Sequence, residues 1–503
     1  MGKHNKPRKN VGINPALHAR RNQAIQRAQS LIAQSQFDEA DEILRTDVPK
    51  GSKDPDALRL RGLIAESTNR PVEAMNFARK SAKIQAHPDT HLLMAQIHAR
   101  HGDTLATVKS CRSALAMAPE HVHARLMLAA TLEERNQVDD AALELAPVLD
   151  NPTESSIVVR RAARIQAAIM VRRGDYDEAV RIIDENVLSN DPPPSERRGA
   201  LFLRAKALDR AARYDEAFAT AQEANQLDMV PFDPDEYDNS LNVFMHAWTR
   251  ELVNHLPIGD PSSELPVFIA GMPRSGTSLL DRIIDAHPKG AGVGELALIE
   301  QFWMTLNTAY DHSGDPLEAY DKVPARAWKD IAHTYTNQCR KLSPPGTLRV
   351  ANKSIRNDLM LGALSRLFPK GRFIHIVRDP RDVAISCFMG GFNNRMYPWT
   401  ARLDWIARAW SASARIMDHF ASILDTEILK VNYEELVQDP ETQLPRVIAS
   451  VGLDWDPLCM EFHTLNRPIR TLSYDQVNQP INTKSVGRYA NYQRFIDAID
   501  WPA

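Results

Sequence analysis

Two kinds of apolar periodicity divide the chain. From about Gln23 to Asp228, alanine and leucine recur at helical spacing and proline stays out of segment interiors, which predicts a succession of amphipathic helices. Short small-or-polar turns interrupt the pattern, each followed five residues later by a small residue. The clearest copies are GDYDEAV from Gly174 and ARYDEAF from Ala212, with weaker ones at Ser35, Asn69, Gly102 and Asn136. Between Met229 and Leu265 the stretches MVPFDPDEYD and PIGDPSSELP break the pattern with proline and acidic residues, so a linker is expected at 229–265. Beyond it the chain reads differently. Val267-Phe268-Ile269-Ala270 is a continuous apolar run, as in a buried parallel strand, and Leu279, Leu280, Ile283 and Ile284 follow at helical spacing. Further strands are predicted before Asn352, over 372–377 and from Leu429, each running into a polar turn. The expected fold is an N-terminal all-α array followed by an α/β domain, residues 266–503, with a central parallel sheet.

The small residues align at Ala40, Ala74, Thr107, Ala141, Ala179 and Ala217, spaced 34, 33, 34, 38 and 38. This is close to the period of about 34 in tetratricopeptide repeats, which the pattern resembles. The resemblance implies a solenoid over 21–228, built of helix hairpins in which the small residue lets two helices approach. It also implies a concave groove that takes a protein or peptide. The two wider spacings place longer loops near Pro152 and at Pro192-Pro193-Pro194.

Composition narrows the partners. A chain of 503 residues exceeds one ordinary domain, and a net charge of −3 gives no global basicity, so nucleic acid is not an expected partner. Cys111, Cys339, Cys387 and Cys459 are scattered with no metal-ligand spacing, and read as reduced core thiols in a cytoplasmic compartment. No window approaches the roughly 18 apolar residues of a membrane span. The start MGKHNKPRKN has no apolar stretch after it, and residues 1–20 are expected to be a basic disordered tail.

The candidate chemistry sits where strands end. Gly271 and Arg274-Ser275-Gly276-Thr277-Ser278 lie between the first strand and its helix, where backbone N–H groups, the helix N-terminus and two hydroxyls converge on phosphate oxygens. The loop keeps the glycine spacing of GxxxxGK[ST] but has Thr277 in place of the lysine, with Arg274 as the cation. Lys353 stands at the end of another strand, on the edge where open parallel sheets bind ligands. Arg378 closes the strand over 372–377, and Ser386 follows eight residues later on a predicted helix. That pair suits a second phosphate, because arginine offers a planar fork. The alternative is that Arg378 pairs Asp382 and stiffens the turn; Arg381 reads as a structural charge.

These motifs carry a resemblance. The Pro-Arg-Ser-Gly-Thr core, Ala286-His287-Pro288 and Gly294-Glu295 are similar to the 5′-phosphosulfate loop of sulfotransferases that use 3′-phosphoadenylyl sulfate. Tyrosylprotein sulfotransferases, and bacterial proteins that fuse repeats to such a domain, are the nearest look-alikes. IVRDPRDVAIS resembles the family's 3′-phosphate segment, with Arg378 and Ser386 at its binding positions. VNYEEL resembles a segment whose tyrosine, here Tyr433, contacts adenine; Tyr433 as ordinary core is the alternative. Ser473-Tyr474-Asp475-Gln476-Val477 places Ser473 at the transferring group, and Arg488 takes the place of a basic residue on the 3′-phosphate.

The resemblance covers Pro266 to Tyr492 and implies 3′-phosphoadenylyl sulfate as co-substrate without a metal. It puts Ser275, Gly276, Thr277 and Ser278 on the 5′ side, Arg274 and Lys353 at the sulfuryl group, and Glu295 as general base. A helix cap is the alternative for Glu295. Tyrosylprotein sulfotransferases carry Thr-Arg after the base, whereas Leu296-Ala297 stand here, which leaves the acceptor open. It is a hydroxyl or amine on carbohydrate, lipid, small molecule or protein. Two other readings compete: a P-loop kinase, opposed by Thr277 and Arg378, and a nucleotide-binding repeat scaffold without activity.

Overall fold

A computed structural model describes residues 15–48, 53–151, 155–296, 298–302, 304–305, 323–465 and 479–502. The chain forms two compact units, Met1–Asn190 and Asp191–Ala503. The first is a series of helix hairpins: α1 (Pro15–Ala33) with α2 (Phe37–Asp47), α3 (Pro55–Ser67) with α4 (Pro71–Ile84), and α5 (Pro88–Arg100) with α6 (Thr104–Met117). Then follow α7 (Val122–Glu134) with α8 (Val138–Leu149), and α9 (Ser156–Arg173) with α10 (Tyr176–Asn186).

One device makes every hairpin. Ser35, Asn69, Gly102, Asn136 and Gly174 all have positive φ, between 58° and 89°. The N–H of the residue after each reaches back five residues, as in Gln36 to Leu31 O at 2.9 Å and Asp175 to Met170 O at 3.0 Å. This left-handed cap ends one helix and turns the chain into the next. Five residues on, Ala40, Ala74, Thr107, Ala141 and Ala179 are each 0% exposed, pressed between paired helices where a longer side chain would force them apart.

A sixth copy opens the second unit. It consists of α11 (Pro194–Arg210) and α12 (Tyr214–Gln226), with Ala212 at φ 58° and Ala217 fully buried. The stretch expected to be a linker then folds into α13 (Pro234–Ala247) and α14 (Arg250–His255). Pro234 starts α13 instead of breaking it, because a first-turn proline has no hydrogen bond to lose, and Asp233 caps the N–H groups of Asp235 and Glu236. Leu241, Trp248 and Leu252 from this stretch join the core on one face of the sheet.

That sheet has five parallel strands: β1 (Pro266–Ala270), β2 (Gly290–Gly292), β3 (Arg349–Asn352), β4 (Arg372–Val377) and β5 (Ile428–Asn432). Their order is β2-β3-β1-β4-β5, with Phe268 of β1 beside Asn352 and Phe373. Alternate side chains of β1 enter opposite cores. Val267 and Ile269 pack with Leu280, Ile283 and Ile284 of α15 (Thr277–Ala286), whereas Phe268 and Ala270 pack with Trp328 and Tyr335 of α16 (Ala325–Leu342). Helices α17 (Asn357–Leu367), α18 (Pro380–Phe388), α19 (Leu403–Ile423), α20 (Tyr433–Gln438) and α21 (Pro440–Ser450) follow. β2 was not legible as a strand, since Gly290-Ala291-Gly292 has no apolar run. Glycine is required at its start, where a Cβ on Gly290 would lie 2.0 Å from the carbonyl oxygen of Ile284. Because every strand runs the same way, all five carboxyl ends open on one edge.

Candidate functional site

The loop after β1, expected to cradle an anion, is tight. Its backbone turns through positive φ at Gly271 (149°), Arg274 (72°) and Gly276 (106°) before α15 begins at Thr277. A Cβ on Gly276 would fall 2.6 Å from the Tyr433 ring, so both conformation and space demand glycine there. Arg274 has no such freedom, and the left-handed conformation costs a non-glycine residue about 1 kcal/mol. Ser275 and Ser278 are buried at the helix start, where the first N–H groups have no partner within the helix.

Arg274 reaches toward α18. Its Nε donates to the Ser386 hydroxyl at 2.8 Å, which ties the loop to the residues expected to hold a second phosphate. Arg378, 4% exposed, donates from Nη1 to the Arg274 carbonyl at 2.9 Å and from Nη2 to the Ser485 carbonyl, with its guanidinium 4.5 Å above the Tyr433 ring. Its Nε is buried without a hydrogen-bond partner among the described residues. The pairing with Asp382 weighed from the sequence is present at 3.5 Å. Asp382 also accepts the N–H groups of Gly487 and Tyr489 at 2.8 and 2.9 Å, fastening the C-terminal segment over Arg378. Arg381 pairs with Asp379 and lies 3.8 Å over Tyr489. Tyr433, 8% exposed, belongs to the core and to the cavity wall alike.

Glu295 and Lys353 form a second group. The Lys353 ammonium, its side chain 3% exposed, donates to Glu295 Oε1 at 2.7 Å, while Glu295 remains 46% exposed. The Lys353 N–H donates to the Gly294 carbonyl, which holds the two strand ends together. Beneath them lies Asp281 of α15. Burial pushes its carboxyl up to about 7, and the Lys353 charge opposes that shift. Asp281 is a residue the sequence reading missed, because an acid inside an amphipathic helix gives no sign of burial.

Arg274, Gly276, Ser278, Arg378, Ser386, Tyr433 and Arg488 line one cavity of about 590 Å³. Glu295 and Lys353 are not part of its lining. Arg488, expected on the 3′-phosphate, is in the wall with its guanidinium 2.7 Å from Asp209. Ser473 lies outside the described residues. Helix α11 supplies residues the sequence reading left in the repeat array, namely Phe202, Lys206, Asp209 and Arg210. The available signal was their spacing, which puts a polar stripe beside Phe202 on one helix face. Among the described residues no group of His, Cys, Asp or Glu is arranged to hold a metal, and no helix is long and apolar enough to cross a membrane.

Residues 266–457 match the sulfotransferase family model, and residues 92–150 and 170–234 match a tetratricopeptide repeat model. An uncharacterized protein of Aquifex aeolicus (strain VF5) is 25% identical over 422 residues, 82% of this chain and 54% of that protein. The chain therefore spans about half the length of that relative. A putative protein-tyrosine sulfotransferase of Caenorhabditis briggsae is 28% identical over 235 residues, 44% of this chain and 79% of that protein. The sulfotransferase domain of the Synechococcus PCC 7002 olefin synthase is 20% identical, covering 48% of this chain and 97% of that domain with a TM-score of 0.31.

Proposed function

We propose that this chain, whose residues 266–457 match the sulfotransferase family model and whose residues 92–150 and 170–234 match a tetratricopeptide repeat model, moves a sulfuryl group from 3′-phosphoadenylyl sulfate to a hydroxyl or amine acceptor. One observation carries the donor. Among the described residues, the cavity that joins the loop after β1 to Arg378 and Ser386 is lined by six cations, Lys206, Arg210, Arg274, Arg378, Lys484 and Arg488, against the single carboxylate of Asp209. In a chain of net charge −3, that concentration calls for a multiply anionic ligand with phosphates at two separated points.

The chemistry follows from the second group. The acceptor oxygen or nitrogen attacks sulfur, its new bond forming as the bond from sulfur to the bridging oxygen of the 5′-phosphate breaks. The acceptor proton goes to Glu295, and 3′,5′-diphosphoadenosine leaves with the bond electrons. In the resting pair, Lys353 is held by the Glu295 carboxylate at 2.7 Å. As Glu295 takes the proton it loses its charge and its hold on Lys353, just when negative charge grows on the bridging oxygen. The ammonium is then released toward the leaving group. Arg274 and the α15 N-terminus hold the 5′-phosphate still, which supplies positioning.

The repeats fit a protein-binding role, and recruitment of the acceptor or a partner is assigned to them. The four cysteines are buried thiols, in keeping with a cytoplasmic setting. The test is transfer of labelled sulfate from 3′-phosphoadenylyl sulfate to a cell extract, paired with thermal melts. The diphosphate product should raise the melting temperature more than AMP, ADP or ATP without magnesium. Equal shifts from ATP and the diphosphate would favour the kinase reading.

A further inference from the structure

We infer that the hairpin α11–α12, spelled in the repeat alphabet, is a wall of the nucleotide site and that Lys206 contacts the nucleotide at its 3′-phosphate end. This inference rests on the donor reading above. Phe202, Lys206, Asp209 and Arg210 stand at helical offsets that share one face of α11, and that face lines the cavity. In a detachable recognition array the same face would be free to take a partner.

Contacts on either side of Lys206 locate it. One turn before it, Phe202 abuts the chain just beyond α18, its ring 3.2 Å from where a Cβ on Gly391 would lie. One turn after it, Asp209 Oδ1 accepts the Tyr492 hydroxyl at 2.6 Å and pairs with Arg488 at 2.7 Å. The hairpin is fastened to the helix that bears Ser386. Phe218 of α12 stacks on Phe388 at 4.8 Å and on Phe495 at 3.8 Å, and Asn225 Nδ2 donates to the Phe388 carbonyl at 3.0 Å. Lys206 therefore lies at the Ser386 and Arg488 end of the cavity. There its flexible stem delivers a point charge to a terminal phosphate dianion, complementing the fixed fork of Arg378. Asp209 is a positioning residue that holds Arg488 in the wall.

The test uses the full chain and two nucleotides, 3′,5′-diphosphoadenosine and AMP, titrated by calorimetry. Lys206→Gln should weaken the diphosphate about 10- to 100-fold, the range for a lost charge-assisted contact, with AMP changed less than about 2-fold. Lys206→Arg should restore most of the preference, and the nucleotide-free melting temperature of both variants should match wild type. If Lys206→Gln binds the diphosphate as wild type does while Arg378→Ala loses it, the hairpin inference fails and the donor reading stands. If wild type itself shows no preference for the diphosphate over AMP, the donor reading fails first and takes this inference with it. An equal loss for both nucleotides would assign Lys206 a general charge effect and overturn its place at the 3′-phosphate.

Discussion

Glu295→Gln separates a proton acceptor from a mere anchor. The substitution keeps shape and leaves an oxygen that accepts from Lys353, so the 2.7 Å hydrogen bond survives while the charge is lost. Glu295 is 46% exposed and the substituted amide still gives the buried Lys353 ammonium an acceptor, so the fold should tolerate the change. Nucleotide affinity should stay within about 2-fold, because neither Glu295 nor Lys353 lines the cavity proposed for the nucleotide. Turnover should fall by about 10²–10⁴, equivalent to about 3–5 kcal/mol of barrier. Single-turnover transfer from labelled donor under saturating nucleotide reads this directly. Lys353→Ala should also lower turnover, and the double variant should lose far less than the product of the two, since the proposed transfer makes them one unit. Full turnover in Glu295→Gln, or loss of the nucleotide, would refute the reasoning and leave Glu295 as an anchor for Lys353.

Two further outcomes follow from the backbone and from burial. Folded Asp281 holds its proton up to about 7 against an ordinary 3.8, so it binds the proton more tightly folded than unfolded, and its contribution to stability falls as pH rises through that window. Asp281→Asn should flatten the decline, with a gain over wild type that grows from pH 5 to pH 8 toward about 4 kcal/mol, read from urea midpoints. In the hairpin turns, Ala212→Gly should stabilise by about 1 kcal/mol and Gly174→Ala should cost about as much, because both residues occupy positive φ and no atom lies within 4 Å of the added Cβ at Gly174. Opposite signs in thermal melts would show that the turns are held by something other than backbone preference.

How much of this the sequence revealed depends on how local each cause is. Ser35, Asn69, Gly102, Asn136, Gly174 and Ala212 all take the left-handed cap, and each small residue five positions on is buried, because turn and contact lie within one hairpin. The geometry of the loop after β1 was legible for the same reason: strand end, glycines and helix start are contiguous. β2 was not, since its pairing with β3 is set by a neighbour some sixty residues away and its own residues carry no periodicity. Pro234 read as a breaker because its meaning depends on whether a helix starts there. Lys206 was hidden most completely. Its helix obeys the repeat pattern, and only what α11 is packed against distinguishes a cavity wall from an open groove.

Sheet topology supplies the last step, since chain order alone scrambles the site. The strands appear as β1, β2, β3, β4, β5, yet the edge reads β2-β3-β1-β4-β5. Residues that follow each strand therefore stand in the order Glu295, Lys353, the loop from Gly271 to Ser278, Arg378 and Tyr433. With neighbouring strands about 4.8 Å apart, that row extends roughly 19 Å. In the proposed reading a nucleotide lies along it, with adenine toward Tyr433 and the sulfuryl group toward Lys353. In that reading the acceptor enters from the β2 end, where Glu295 is 46% exposed while the Lys353 side chain behind it is 3% exposed. A base at that mouth meets the acceptor before the leaving group does, which is the order in which a proton must move if Lys353 is to be released when its charge is needed.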